Sequence, residues 1–248
     1  VTQTRRGRLV HLNRALSKRG ILTRSRATEA ILAGRVSVDG RVVRDPGAAI
    51  DIDRADLTVD LAVAPSSTWR TVVLHKPRGV LTTTHDPEGR PTVYALLDAD
   101  GQSLVPVGRL DLATTGVLLL TTDTELAGWL TDPVNAIERR YIATVRGRVT
   151  APVIAEMERG VMVDGDVLTA ASVVARKVSD RESHLIIELR EGKNREIRRL
   201  CEAVGHEVTR LKRVSFGRIE LDDLPPGRWR ELTREDVGAA FPAAPLRR

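Results

Sequence analysis

The residues whose types and spacing could do chemistry fall in two stretches. Between Val107 and Asp123 the chain reads Val-Gly-Arg-Leu-Asp-Leu-Ala-Thr-Thr-Gly-Val-Leu-Leu-Leu-Thr-Thr-Asp. Here Arg109, Asp111, Thr114 and Thr115 occupy a polar loop between two apolar runs, Leu104 to Val107 and Val117 to Leu120. An ionised carboxylate held at such a place can act as a nucleophile. A Gly-bounded Asp serves equally well as a turn former that accepts backbone N–H groups. Arg109 shares the parity of Asp111 on an extended segment, so both can face one cleft. The second stretch, Glu191 to Gly205, carries Arg195, Arg198 and Arg199 beside Ile197, Leu200, Cys201 and Val204 at i, i+3, i+4 and i+7. That spacing predicts an amphipathic helix closed by Gly205. Arg198 projects about 100° round from Ile197, at the margin of the buried stripe, where a cation can reach a cleft. Arg199, one residue further, faces solvent. A surface helix laced with ion pairs through Glu196 and Glu202 accounts for the same pattern.

These groups need elements to hold them. The run Val117 to Leu120 has no polar alternation, which predicts a strand buried on both faces, with the loop before it held at the edge of a sheet. Asp123 or Thr124 caps a short helix that Asp132-Pro133 ends. Glu138 to Val145 alternates as a half-buried strand, in which Tyr141 reads as a core aromatic. Pro152 opens a short helix after Thr150. Asp164-Gly165 marks a turn, and Leu185, Ile187 and Leu189 share one strand face. Val208 to Val214 adds cations to a further strand, and Thr233 caps a terminal helix. Upstream, Val72 and Leu74 lead to His75-Lys76-Pro77-Arg78-Gly79-Val80, where Pro77 and Gly79 separate one strand from another beginning at Val80-Leu81. His85 to Pro91 is a turn-rich loop.

The first sixty residues have a different texture. Leu9, Leu12, Ala15 and Leu16 recur at helical spacing up to Gly20, and Ser25 is placed to cap a second helix with Ala27, Ala30 and Ile31 on one face and Gly34 as its stop. Val36 and Val38 lead into Asp39-Gly40, a hairpin turn dipeptide. Arg14, Lys18, Arg19, Arg24, Arg26, Arg35 and Arg41 fall on the polar sides of these elements. Ala62 to Thr68 reads as a linker. The expected boundaries are residues 7–62 for a small N-terminal domain, 63–69 for the linker and 70–240 for the main domain.

Composition narrows the chemistry. In 248 residues, 39 Lys and Arg stand against 33 Asp and Glu, a net charge of +6 that favours a polyanionic partner. Aromatics are only 3%, which argues against a platform stacking successive bases and for backbone contacts with one reactive pocket. One cysteine, Cys201, excludes an internal disulfide and a multi-cysteine zinc site and points to a reducing compartment. Five scattered histidines and unclustered acids give no metal-ligand spacing, and Gly192-Lys193 is not a phosphate loop. No cofactor and no metal are implied. No window approaches a transmembrane helix and nothing visible resembles a signal peptide. A cytoplasmic protein with no membrane partner is expected.

Taken together, Gly108-Arg109-Leu110-Asp111, Thr114, Gly116 and the Leu-rich strand resemble the active-site signature of the bacterial ribosomal-RNA pseudouridine synthases. The resemblance extends from about Leu9 to Val237. It implies that Asp111 is the catalytic nucleophile. It also implies that Tyr141 stacks on the target base and assists proton removal, and that Ile197 and Arg198 form the apolar–basic pair whose cation meets the catalytic Asp. Arg109 is assigned to the flipped nucleotide's phosphate or to the gap left in the RNA, and Lys76, Arg195 and Arg199 to RNA or substrate. Arg-Ala-Leu-Ser-Lys-Arg-Gly-Ile, Ser-Arg-Ala-Thr-Glu-Ala-Ile and Gly-Arg-Val-Ser-Val-Asp-Gly are similar to the RNA-binding domain named for ribosomal small-subunit protein four. That likeness implies docking on structured RNA through Arg14, Lys18, Arg19, Arg24 and Arg26.

The implied fold is α+β, an N-terminal αα-hairpin domain followed by a catalytic domain with a mixed, mainly antiparallel sheet flanked by helices. The implied activity is isomerisation of one uridine of ribosomal RNA within a pre-ribosomal particle, by a monomer. Lys-Pro-Arg-Gly-Val and Asp-Pro-Glu-Gly-Arg-Pro look closer to the large-subunit members. The alternatives are a small-subunit target or a catalytically silent assembly factor. The sequence departs from the family at Thr122-Asp123-Thr124, where Asn-Asp-Gly is usual, and at Arg195-Glu196, which replaces a polar pair that often contains Gln.

Overall fold

The computed structural model describes residues 9–22, 24–60, 69–84 and 86–246. The chain divides into two compact units, residues 1–68 and 69–248. The expected linker lies almost wholly outside the described residues, as does His85 of the turn-rich loop.

In the first unit, β1 (Leu9–His11) leads into α1 (Leu12–Lys18) and α2 (Arg24–Leu32), followed by β2 (Val36–Val38), β3 (Arg41–Val42), β4 (Ala49–Asp51) and β5 (Leu57–Val59). Leu12, Ala15 and Leu16 of α1 pack on Ala27, Ala30 and Ile31 of α2, with Val36, Ile50 and Ala55 closing the core. Gly20 and Gly34 follow the two helices with positive φ, the conformation for which glycine is the usual helix stop. Asp39 and Gly40 both have positive φ, as the β2–β3 hairpin turn requires. Two expectations change. Leu9 has helical spacing but pairs in β1 with Asp51 and is 68% exposed, because the ladder to Ala49–Asp51 takes its backbone. Helix α2 begins at Arg24, one residue ahead of Ser25, so the backbone of Ser25 lies inside the helix and not before its start.

The second unit is built on a nine-stranded sheet. In chain order it runs β6 (Thr71–Lys76), β7 (Val105–Pro106), β8 (Thr114–Thr121), α3 (Thr124–Thr131), β9 (Arg139–Arg146), α4 (Ala151–Arg159), the hairpin β10 (Val161–Val163) and β11 (Asp166–Leu168), β12 (Ser172–Val178), β13 (Glu182–Leu189), α5 (Glu196–Ala203), β14 (Val208–Phe216), β15 (Ile219–Glu220), β16 (Trp229–Leu232) and α6 (Arg234–Ala240). The sheet order is β12-β13-β9-β14-β8-β6-β16, with β15 on β14 and β7 on β8. All pairs are antiparallel except β14 with β8.

Both faces of this sheet are covered at its centre, which is why β8 shows no polar alternation. Leu118 and Leu120 face one core with Val72, Leu74, Tyr141, Ile187 and the α5 residues Ile197, Leu200 and Cys201. Val117 and Leu119 face the other with Val73, Phe216, Leu126 and Leu130 of α3, and Val237 of α6. Phe241, just past the expected domain end, belongs to this second core. Asp123 caps α3 through the N–H groups of Glu125 and Leu126, and Thr233 with Asp236 forms a capping box on α6.

Gly116 marks the closest approach in the sheet. Its φ is +112°, and a Cβ there would lie 2.7 Å from the backbone nitrogen of Arg213 and nearer still to its carbonyl oxygen. Only glycine lets the parallel β8–β14 pair close at this point. Two further expectations change here. Thr114 and Thr115 belong to β8 rather than to the loop. After β6 no second strand forms, and Leu81 makes a single bridge to Thr92. The backbone of this segment is instead committed elsewhere, with Gly79 N–H donating to Leu112 and Leu81 N–H to Pro91.

Candidate active site

The loop 107–113 joins β7 to β8, and the carbonyls of Leu110, Asp111 and Leu112 are each caught by a donor. Val107 N–H bonds the Leu119 carbonyl, and Thr114 N–H bonds that of Asp111 at 2.9 Å. The Thr82 hydroxyl donates to the Leu110 carbonyl at 2.9 Å and accepts from Leu110 N–H at 3.3 Å. From beneath, the Lys76 ammonium donates to the carbonyls of Pro77 (3.1 Å), Asp111 (3.1 Å) and Thr114 (2.9 Å). Lys76 is 0% exposed, and burial pushes its pKa down to about 8 against the upward pull of the Asp111 charge. Its assignment to RNA is thereby corrected. An ammonium sealed in the sheet cannot meet a phosphate, and it serves as a strut for the loop.

Asp111 opens onto a cavity of about 160 Å³ walled by Tyr141, Leu189, Ile197 and Leu211, with Arg198, Arg139 and Arg213 among its other lining residues. The loop's outer side borders a wider groove of about 620 Å³ lined by Thr82, Leu112, Asn194 and other residues. Arg109, Asp111, Lys193 and Arg195 line both spaces. The arrangement is a half-open chamber on the scale of one base, continuous with a basic groove that can hold backbone.

The cation that meets Asp111 is Arg195, whose Nη1 lies 3.7 Å from Oδ2. Sequence reasoning had put Arg198 in that role. Arg198 does line the cavity, half-buried, but its Nη1 donates to the Val208 carbonyl at 2.9 Å. Burial and the neighbouring Arg195 hold its pKa below the usual arginine value, while Asp111 draws it back up, so the two guanidiniums and the carboxylate form one electrostatic group. Arg195 precedes α5 with φ +49°, a turn that spacing along a regular helix does not reveal. Arg199 does not line the cavity. It grips the β10–β11 hairpin, with Nη1 3.2 Å from Asp166 and Nη2 3.0 Å from the Val163 carbonyl. Tyr141 and Ile197 lie on the cavity wall, 8% and 3% exposed, and Arg109 is exposed at its rim.

Three buried charged lining residues escaped the sequence reading. Arg139 and Arg213 are buried, 6% and 3% exposed, with their guanidinium carbons 5.0 and 5.1 Å from the Phe216 ring centroid. Parity carried a signal for both: Arg139 shares the face of Tyr141 on β9, and Arg213 that of Leu211 on β14. Glu196 is 3% exposed and its Oε2 accepts Lys193 N–H at 3.1 Å. Burial first, and then the Glu191 carboxylate, raise its pKa to about 8. In the first unit Arg14, Lys18, Arg24 and Arg26 are exposed. Arg19 is exposed too, but its Nε bonds the Ile52 carbonyl at 3.0 Å, which ties it to the domain's own backbone.

Comparison with known proteins places this geometry. Residues 70–203 match the RNA pseudouridylate synthase family, and residues 12–53 match the S4 domain. An uncharacterized RNA pseudouridine synthase of Aquifex aeolicus is 34% identical over 239 residues, covering 96% of each chain. The ribosomal large subunit pseudouridine synthase B of Vibrio cholerae is 38% identical over 234 residues, covering 91% of this chain and 72% of its own. A crystal structure of a pseudouridylate synthase superposes with a TM-score of 0.65 at 25% identity, covering 93% of this chain and 99% of that one. With a match across more than half of its length and relatives this similar along nearly all of it, the chain belongs to the RNA pseudouridylate synthase family, whose members are isomerases.

Proposed function

We propose that this chain converts one uridine of large-subunit ribosomal RNA to pseudouridine, with Asp111 as nucleophile. The observation that carries the site is the Asp111 carboxyl at a base-sized chamber, 3.7 Å from the Arg195 guanidinium, on a loop held from below by Lys76. The relatives named for the large ribosomal subunit support the substrate class.

The reaction breaks the bond between base and sugar, turns the base and rejoins its carbon five to the anomeric carbon. It needs an ionised carboxylate beside the sugar, a chamber that retains the detached base and a route for one proton. Arg195, with Arg198 behind it, orients the carboxylate. Tyr141 supplies an aromatic face for the base and a hydroxyl for the closing proton transfer, and Ile197 seals the wall. A uridine within folded RNA must first be unstacked at a cost of a few kcal/mol, recovered through backbone contacts. Arg109 and the groove cations meet the flanking phosphates, while Arg14, Lys18, Arg24 and Arg26 dock the N-terminal domain on structured RNA. The protein acts as a monomer in the cytoplasm on a pre-ribosomal particle.

The test is tritium release from ribosomal RNA carrying carbon-five-labelled uridine. Wild-type protein is expected to release tritium from large-subunit RNA. Asp111→Asn should bind that RNA and release none. Equal binding with no release from either protein would leave a silent assembly factor as the answer, and release confined to small-subunit RNA would move the target.

A further inference from the structure

We infer that Arg213 is a further catalytic residue, whose buried guanidinium holds the uracil as an anion after the base–sugar bond breaks. The inference rests on reading the Asp111 chamber as the uridine pocket. Among the described residues no carboxylate lies within ion-pairing distance of Arg213 or Arg139, although both are at least nine-tenths buried and both line the chamber. Arg139 has carbonyl partners for its charge, donating to Ile137 at 2.9 Å, Glu191 at 3.3 Å and Leu130 at 3.4 Å. Arg213 bonds only one, from Nε to the Val117 carbonyl at 2.7 Å, and its buried Nη2 has no partner.

A buried charge without a counter-ion is costly, and two close together repel as well. Both effects are visible at Arg139, whose pKa is lowered by burial first and by Arg213 second. The Phe216 ring offsets part of this through its π face. Glu196, whose pKa burial raises to about 8, offers little negative charge at neutral pH. Asp111 is drawn to Arg195 at the entrance. The inner wall is therefore a positive site whose Arg213 guanidinium is bonded only through Nε among the described residues, suited to a negative group that enters the chamber.

The position separates the two anions that RNA could bring. Phosphates have Arg109, Lys193 and Arg195 in the groove, whereas the space between Tyr141, Leu189, Ile197 and Leu211 is of a size to take a base. When the bond between the anomeric carbon and N1 breaks heterolytically, its electron pair leaves with the base. The base becomes a uracil monoanion with charge on N1 and the two carbonyl oxygens. The Asp111 carboxylate compensates the anomeric carbon, either by bonding to it or by taking the neighbouring sugar proton. Arg213 donates through its guanidinium to a carbonyl oxygen, a contact stronger to the anion than to neutral uracil, so it lowers the barrier as well as retaining the base. Carbon five then bonds the anomeric carbon, its proton leaves to solvent, N1 gains a proton and Asp111 is restored.

The experiment has two arms. In single-turnover tritium release, Arg213→Lys and Arg213→Met are expected to slow the chemical step about 10²–10³-fold, the scale of losing one preorganised oxyanion donor, with RNA affinity unchanged. In calorimetry with free bases, wild-type protein is expected to bind 5-nitrouracil, ionised at neutral pH, about tenfold or more tighter than neutral uracil, a difference of about 1.4 kcal/mol, and Arg213→Met to lose that preference. A purely structural Arg213 would lower stability yet leave wild type indifferent to the charge of the base. Wild-type rates in folded Arg213→Met, or no preference for the anion in wild-type protein, would overturn the inference. Wild-type protein that releases no tritium from any ribosomal RNA would instead sink the functional reading and this inference with it.

Discussion

Replacing Lys76 with Met keeps most of the side-chain volume and removes the ammonium that three carbonyls share. Two terms oppose each other. Burial lowers the lysine pKa from its usual value near 10.5 to about 8, which at about 1.36 kcal/mol per pH unit means the ammonium costs roughly 3 kcal/mol of stability at neutral pH. Its removal relieves that cost but orphans the carbonyls of Pro77, Asp111 and Thr114, at roughly 1–3 kcal/mol each. The carbonyls win, and Lys76→Met should destabilise the protein by about 2–3 kcal/mol at pH 7 in urea titrations. The orphaned groups lie in the Asp111 loop, so activity should fall about 10²-fold, as for a reacting group displaced by about 1 Å.

The sign with pH is also fixed. Between about pH 8 and 10.5 the unfolded lysine holds its proton and the folded one has lost it, so wild-type stability gains from this group as pH rises through that window. Lys76→Met lacks the gain, and its deficit should widen from pH 7.5 to 10.5. An unchanged urea midpoint together with wild-type tritium release in Lys76→Met would refute the idea that this residue supports the loop.

Gly116→Ala should lower stability by several kcal/mol or abolish soluble expression, because its Cβ would meet the Arg213 backbone and part β8 from β14. Gly165→Ala, at φ +84° with open space around it, should cost only about 1 kcal/mol in the same denaturation assay. Glu196 has a folded pKa raised from the ordinary 4.5 to about 8, so its contribution is fully present below pH 4.5 and lost as pH rises through about 8. Glu196→Gln keeps the shape without the titration, and should flatten the stability–pH curve over that interval and be more stable than wild type at pH 9.

Local pattern in the sequence determined most of the elements and much of the site. The apolar run after Gly116, the Ile197 stripe, the turns at Asp39-Gly40 and Asp164-Gly165 and the caps at Asp123 and Thr233 are governed by neighbours within a few residues, and each took the expected form. The same local chemistry placed Asp111 and Arg109 on one loop, and Tyr141 and Ile197 against the core. Charged side chains obeyed another rule, because what a long cation reaches depends on residues far along the chain. Lys76 has the sequence of a surface turn, yet β6 is covered on both faces, and its ammonium turns inward to carbonyls 35 and 38 residues away. Arg195 rather than Arg198 meets the carboxylate because a left-handed residue swings the chain just before α5. Arg199 is held by a hairpin some 33 residues earlier. Burial and pairing of charge are properties of the packed sheet, so the identity of the groups facing the chamber was decided only when β6, β8, β9 and β14 came together.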